Sequence, residues 1–193
     1  LEQLIRMEWE KCQGILNGND NETWDPATDS HLEFRLERDE LRYKRQNKAV
    51  LAARTGFPED QPLITFIGRF AEEKGADLLP DIIEASIQRE LGAYFFILGS
   101  GDHDIQERIE ALGAVHPQHF QYEFAYNEPL SRLLYAGSDF LIMPSRVEPC
   151  GLNQLYAFRY GTIPIVHAVG GLKDTVKDFD GRKGTGFTFS SLD

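Results

Sequence analysis

Three charged side chains and one short loop hold most of the chemistry this sequence can offer. Arg69 and Lys74 share a loop, with Gly75 behind them. Two fixed cations at that spacing could neutralise a diphosphate as charge develops on it. Beside Glu72 and Glu73, the residues alone favour solvated surface charges. Glu148 lies in the stretch Pro144 to Pro149, where two prolines remove backbone donors and fix φ. That stretch runs into Gly151, Leu152 and Asn153, the expected opening of a helix, where unpaired N–H groups and the positive dipole end favour an anion. A carboxylate beside an anion site suits a ligand with both phosphates and hydroxyls, such as a sugar nucleotide. It would also serve as a plain helix cap, and spacing alone leaves both open. No partner carboxylate stands at a defined spacing from Glu148, so a two-carboxylate hydrolase is not indicated. Cys150 has no histidine spaced to activate it and reads as a small packing residue.

The elements that must position these residues alternate regularly. Phe140 to Met143 is a short apolar run suited to a strand buried on both faces. From Gly151, the residues Leu152, Leu155, Tyr156 and Phe158 fall at helical spacing, and Gly161 ends the run. Upstream, Leu63 to Ile67, Tyr94 to Leu98 and Phe120 to Phe124 read as strands. Helices are expected over Asp77 to Leu91, with Pro80 in the first turn, around Ile105, Ile109 and Leu112, and over Pro129 to Tyr135. Gly99-Ser100-Gly101-Asp102 reads as a turn. Ile163 to Val166 gives a fifth strand, and Phe187 to Phe189 a short sixth. Strands separated by helices indicate βαβ units and an α/β fold, a Rossmann-like, doubly wound parallel sheet. Ligands bind beyond the carboxyl ends of such strands. Arg69, the Gly-Ser-Gly stretch, Tyr126, Glu148 and the pair Gly170 and Gly171 each follow one strand, so one shared cleft is expected. Gly170 and Gly171 would allow close backbone approach to a ligand.

The 193 residues suit one domain plus an attached arm. The arm, with the interdomain segment, is expected over residues 1–58, and the nucleotide-sugar-binding domain over 59–193. Leu1 to Trp9 reads as a short helix and Gly14 to Ser30 as a loop. Asp39 to Arg54 reads as an exposed helix with a thin apolar side of Leu41, Ala49, Val50 and Ala53, stopped at Gly56. The net charge of −11 argues against nucleic acid and anionic membranes as partners. Two distant cysteines, Cys12 and Cys150, are no disulfide framework and fit a reducing compartment. No run has the apolar length of a membrane span, and no signal peptide is visible. The start at Leu1, without methionine, suggests an excised piece of something longer. His103, His116, His119 and His167 show no metal-ligand spacing, so no metal site is expected.

Four stretches in order carry a family resemblance. Ser145 to Ala157 (Ser-Arg-Val-Glu-Pro-Cys-Gly-Leu-Asn-Gln-Leu-Tyr-Ala) resembles the donor loop of bacterial glycogen synthases and plant starch synthases. Gly14-Ile15-Leu16-Asn17-Gly18 with Trp24 to Asp29 resembles the segment entering their second domain. Gly68-Arg69-Phe70 with Lys74-Gly75 resembles their Arg-x4-Lys-Gly loop, and Gly170 to Val176 their late Gly-Gly-Leu loop. The resemblance implies the C-terminal, nucleotide-binding half of a retaining glycosyltransferase of the GT-B type. Such a domain binds ADP-glucose for transfer of glucose to an α-1,4-glucan and needs no cofactor beyond that donor. Arg69 and Lys74 would hold the donor pyrophosphate, and Glu148 the hydroxyls of the glucose. Cys150 would touch the glucose, while the amides of Gly151, Leu152 and Asn153 would reach glucose and phosphate. Tyr126 would stack on the base, although a rim tyrosine with its hydroxyl in water fits the position as well.

Departures from the family pattern are Asn153 and Val169, each where threonine is usual, and Asn19 at a normally apolar place. Tyr156 stands where other transferases carry a ribose-binding glutamate, as it does in glycogen synthases. The glucan acceptor would be held by an N-terminal domain that this sequence lacks, so the fragment is expected to bind donor without elongating glucan. The expected location is cytoplasmic, or a plastid for a plant chain. The alternatives are a retaining transferase using a UDP-sugar for another glycan or sucrose, and a non-catalytic nucleotide-binding module.

Overall fold

The computed structural model describes residues 2–192. Along the chain it places α1 (Glu2–Met7), α2 (Glu40–Thr55), β1 (Leu63–Phe70), α3 (Leu79–Gln88), β2 (Tyr94–Gly101), α4 (His103–Val115), β3 (Phe120–Glu123), α5 (Glu128–Gly137), β4 (Phe140–Met143), α6 (Asn153–Tyr160), β5 (Ile163–His167), α7 (Gly170–Thr175) and β6 (Phe187–Phe189). Leu1 of the expected first helix lies outside the described residues. The six strands form one parallel sheet in the order β3-β2-β1-β4-β5-β6. The order reverses between β1 and β4, which opens a crevice at their carboxyl ends.

Alternation along the central strands builds both cores. On β2, Phe95 and Ile97 pack with Phe66, Phe70, Ile83 and Ile109 under α3 and α4. Phe96 and Leu98 face the other way, with Leu51, Leu130 and Leu134. On β4, Ile142 joins the first side, while Leu141 and Met143 join a cluster with Tyr135, Tyr160 and Val166. Helices therefore cover both faces, as the near-continuous apolar strands require.

Two expectations are corrected. Gly99-Ser100-Gly101 is no turn: β1 and β2 continue in register through the pairs Arg69 with Ser100 and Phe70 with Gly101. The glycines permit it, since a Cβ on Gly99 would sit 1.9 Å from the Gly68 carbonyl oxygen. The helix α2 does not lean on Leu41 and Ala53 either. Leu41 is 70% exposed, and the buried stripe is Tyr43, Asn47, Leu51 and Thr55. That stripe meets α5 so closely that a Cβ on Gly137 would lie 2.7 Å from the Asn47 carbonyl oxygen. Asn47 and Thr55 tolerate burial because each donates to backbone, Asn47 Nδ2 to Phe34 and Tyr43, Thr55 Oγ1 to Leu51. Lys44 Nζ reaches the Ser138 carbonyl at 2.7 Å, and Lys48 Nζ reaches Asp139 Oδ2 at 2.6 Å. These contacts cross the division expected at residue 58 and fasten α2 to the sheet.

Arg132 on α5, which is 2% exposed, is a buried anchor of the segment Trp24 to Asp29. Its Nη1 donates to the Thr23 carbonyl at 2.7 Å, to Tyr160 Oη at 3.0 Å and to Asp29 Oδ2 at 3.3 Å. Its guanidinium lies 3.5 Å over the Trp24 ring, a cation–π contact. Tyr160 donates to the same Asp29 oxygen. Replacing Arg132 by alanine strands the Asp29 charge in the interior. Urea denaturation should show a loss of about 3–5 kcal/mol, whereas a loss below about 1 kcal/mol would mean that something else fixes this segment.

Candidate functional site

The crevice holds two adjoining chambers. The first, about 450 Å³, is lined by Asn17, Arg69, Lys74, Ser145, Glu148, Cys150, Gly151, Leu152 and Asn153, among others. The second, about 370 Å³, is lined by Trp24, Ser100, Tyr126, Asn127, Ser131 and Tyr156, among others. Ile67, Gly68, Arg69 and Asn153 border both, at the end of β1 and the start of α6.

Three of the charged residues singled out in the sequence meet in the first chamber. Lys74 Nζ and Glu148 Oε2 are 2.6 Å apart, with the Glu148 side chain 8% exposed and that of Lys74 25%. Arg69 lines the same space but is 70% exposed and pairs with Glu73, Nη2 to Oε1, at 2.5 Å. The cap reading of Glu148 is ruled out, because α6 begins at Asn153 without a side-chain cap and the carboxylate goes to Lys74 instead. The first amides of α6 therefore keep the anion preference of an uncapped helix start.

The loop from Pro144 to Leu152 has no regular structure of its own and is held from three sides. Arg146 grips Asp77 with two bonds, 2.6 and 2.8 Å, and donates to the Glu72 carbonyl at 2.7 Å. The amides of Arg146 and Val147 both donate to the Glu73 carbonyl. These bonds join the loop to the two short turns Glu72–Lys74 and Ala76–Leu78, which is how Lys74 comes to face Glu148. The Arg146 hydrogen bonds hold the Asp77 carboxyl below the usual range, so the grip persists at neutral pH and is lost only in acid. From beneath, Gly171 N donates to the Glu148 carbonyl at 3.0 Å. A Cβ on Gly170 would lie 2.1 Å from that oxygen, and one on Gly171 2.2 Å from the Cys150 carbonyl oxygen. The close approach expected at these glycines is thus to the loop itself, and neither glycine lines a chamber. Buried Gln154 donates from Nε2 to the Cys150 carbonyl at 2.9 Å and to Thr175 Oγ1 at 3.1 Å. His167 Nδ1 lies 2.8 Å from the Ser145 carbonyl oxygen.

Asn153 does not offer its amide nitrogen to the chamber, for Nδ2 donates to the Ile67 carbonyl at 2.6 Å. Cys150 is half-buried and unpaired. Tyr126 stands at the rim of the second chamber, 90% exposed. A further aromatic wall of this chamber is not marked in the sequence: Trp24 stacks on Tyr156 at 3.5 Å between centroids and 11° between planes. Burial raises the Tyr156 phenol above its ordinary value. A repeating pattern could not have revealed this wall, since its two rings come from the arm and from α6. Among the described residues, no group of three or more His, Cys, Asp or Glu side chains is placed to hold a metal ion. No helix among them is long and apolar enough to cross a membrane.

Residues 47–191 match the profile of the family described as glycosyl transferases group 1. The chain belongs to that family. A glycogen synthase of Anaeromyxobacter sp. is 45% identical over 192 residues, 98% of this chain and 40% of that protein. Among solved structures, the catalytic domain of starch synthase IV from Arabidopsis thaliana, bound to ADP and acarbose, superposes with a TM-score of 0.90. It is 36% identical and covers 99% of this chain and 41% of that one. A sucrose-phosphate synthase from Thermosynechococcus elongatus reaches a TM-score of 0.59 at 26% identity, over 75% of this chain and 36% of that one. The chain thus spans about two fifths of the length of the glycogen synthase and starch synthase it resembles.

Gly75 decides whether the two halves of the first chamber meet. It has φ +67°, and a Cβ there would lie 2.0 Å from the Pro144 carbonyl oxygen. Gly56 has a similar φ of +77° with nothing near its Cβ position. Gly56→Ala should cost about 1 kcal/mol of unfolding free energy, the backbone penalty alone. Gly75→Ala should cost at least about 2 kcal/mol more, since backbone must move. Equal costs would refute the close packing of these loops.

Proposed function

We propose that this chain is the nucleotide-sugar-binding part of a retaining glycosyltransferase that moves glucose from ADP-glucose to an α-1,4-glucan. The observation that carries the reading is the Lys74–Glu148 pair, set with Arg69 at the uncapped start of α6 and next to an aromatic-walled second chamber. The first chamber suits a glucosyl diphosphate, with hydroxyls on Glu148 and phosphates on the cations and amides. The second suits a nucleoside base between Tyr126 at the rim and the Trp24–Tyr156 wall.

In this reading the substrate-binding residues are Tyr126, Cys150, Gly151, Leu152 and Asn153, with Gly170 and Gly171 acting through the loop they support. Arg69, Lys74 and the helix-start amides stabilise the diphosphate as the anomeric bond breaks. Glu148 steadies positive charge developing at the anomeric carbon, and the glucan hydroxyl attacks from the face the diphosphate leaves. A donor phosphate oxygen accepts the hydroxyl's proton. These residues supply the positive charge the step needs, and the reading invokes no cofactor besides the donor. The acceptor would be bound by the remainder of a longer protein, so this chain alone should bind donor without elongating glucan. Nucleic acid and membranes have no part in it, consistent with the charge of −11. The two unpaired cysteines fit the cytoplasm, or a plastid stroma.

The likeness to the ADP-bound starch synthase supports adenine over uracil, and the weaker likeness to sucrose-phosphate synthase keeps a UDP-sugar as the rival. Calorimetric titration of the chain should give ADP at least about tenfold tighter than UDP, a difference of about 1.4 kcal/mol. Tighter UDP binding would overturn the choice of donor. In the full-length protein, Glu148→Gln should abolish glucose transfer while ADP still binds. Retained turnover would point to a non-catalytic module.

A further inference from the structure

Both cations of the first chamber are matched to carboxylates, but not in the same way. The partner of Lys74 is Glu148, inside the chamber and 8% exposed. The partner of Arg69 is Glu73, outside it and 51% exposed. Glu73 is not free to drift, since its carbonyl accepts the amides of both Arg146 and Val147. Its backbone is therefore held beside Arg69, and its carboxylate stays tethered within side-chain reach of the guanidinium. An anion reaching Arg69 must either take the guanidinium from Glu73 or share it with a negative charge a few ångströms away.

We propose that Glu73 sets the affinity of the cleft for diphosphate and favours release of the spent nucleoside diphosphate over release of the donor. The inference rests on the nucleotide-sugar reading of the cleft. Transfer converts a diphosphate diester into a nucleoside diphosphate with a free terminal phosphate, which carries more negative charge at neutral pH. A carboxylate tethered beside Arg69 repels the product more strongly than the donor. Glu73 thus opposes the cations selectively after the sugar has left, when tight binding would only delay the next turnover. Exposed ion pairs of this kind are modest, so the effect is a tuning of affinity.

The test compares the chain with its Glu73→Gln variant, which keeps the backbone carbonyl and the side-chain shape. Calorimetry with ADP, ADP-glucose and adenosine separates charge from shape. ADP should bind about fivefold tighter to the variant, ADP-glucose about twofold tighter and adenosine unchanged, an ordering set by ligand charge. The gain for ADP should shrink as salt is raised from 0.05 to 0.5 M, roughly the range over which exposed charges become screened. Unchanged or weaker ADP binding by the variant, with ADP binding normal in the parent chain, would overturn the role of Glu73 and leave the reading of the cleft standing. An equal shift for ADP and adenosine would reduce the effect to altered shape and also overturn it. Failure of the parent chain to bind ADP would overturn both.

Discussion

The contact between the amine of Lys74 and the carboxylate of Glu148 is the point on which the rest of the site turns. The two residues are far apart in sequence and follow different strands, β1 and β4. They meet because the loops bearing them are sewn together by Arg146, by two amides on the Glu73 carbonyl and by a glycine that lets backbone pass against backbone. An ion pair so little exposed is a poor stabiliser in its own right, since desolvation offsets most of its attraction. In the proposed function the pair holds opposite charges ready for a ligand carrying both phosphate and hydroxyl groups.

That view explains a chain that is acidic overall yet suited to an anion. The cations lining the first chamber, Arg69 and Lys74, are few and local, and the remaining positive character comes from helix-start amides with no net charge. The aromatic chamber depends on a second buried ionic centre, Arg132 with Asp29 and Tyr160, which holds Trp24 of the arm against Tyr156 of α6. Trp24 of the arm therefore lines the second chamber. Asn17, farther up the arm, lines the first chamber too.

The sheet and its order of elements were legible in the sequence because buried parallel strands leave short apolar runs and their helices leave a 3.6-residue period. The β4 limits came out as read, Phe140–Met143. Reading failed where polar groups are satisfied internally. The face of α2 differs because Asn47 and Thr55 are buried with their donor groups bonded to backbone, and so look like surface residues in a pattern of apolarity. The ends of β1 and β2 were set short because glycines that mark a turn in one context permit close strand pairing in another. Arg69, Lys74 and Glu148, which line the first chamber, stand out by residue type and motif. Arg146, Gln154 and Arg132 do not, since each acts through partners distant in sequence and nothing local marks it.

A crystal structure of the chain with ADP tests the central claim most directly. The account predicts the β-phosphate between Lys74 Nζ and the amides of residues 151–153, with Arg69 turned from Glu73 toward the phosphates and the base against the Trp24–Tyr156 wall. A nucleotide seated elsewhere, or one whose phosphates leave Lys74 and the start of α6 untouched, would contradict it.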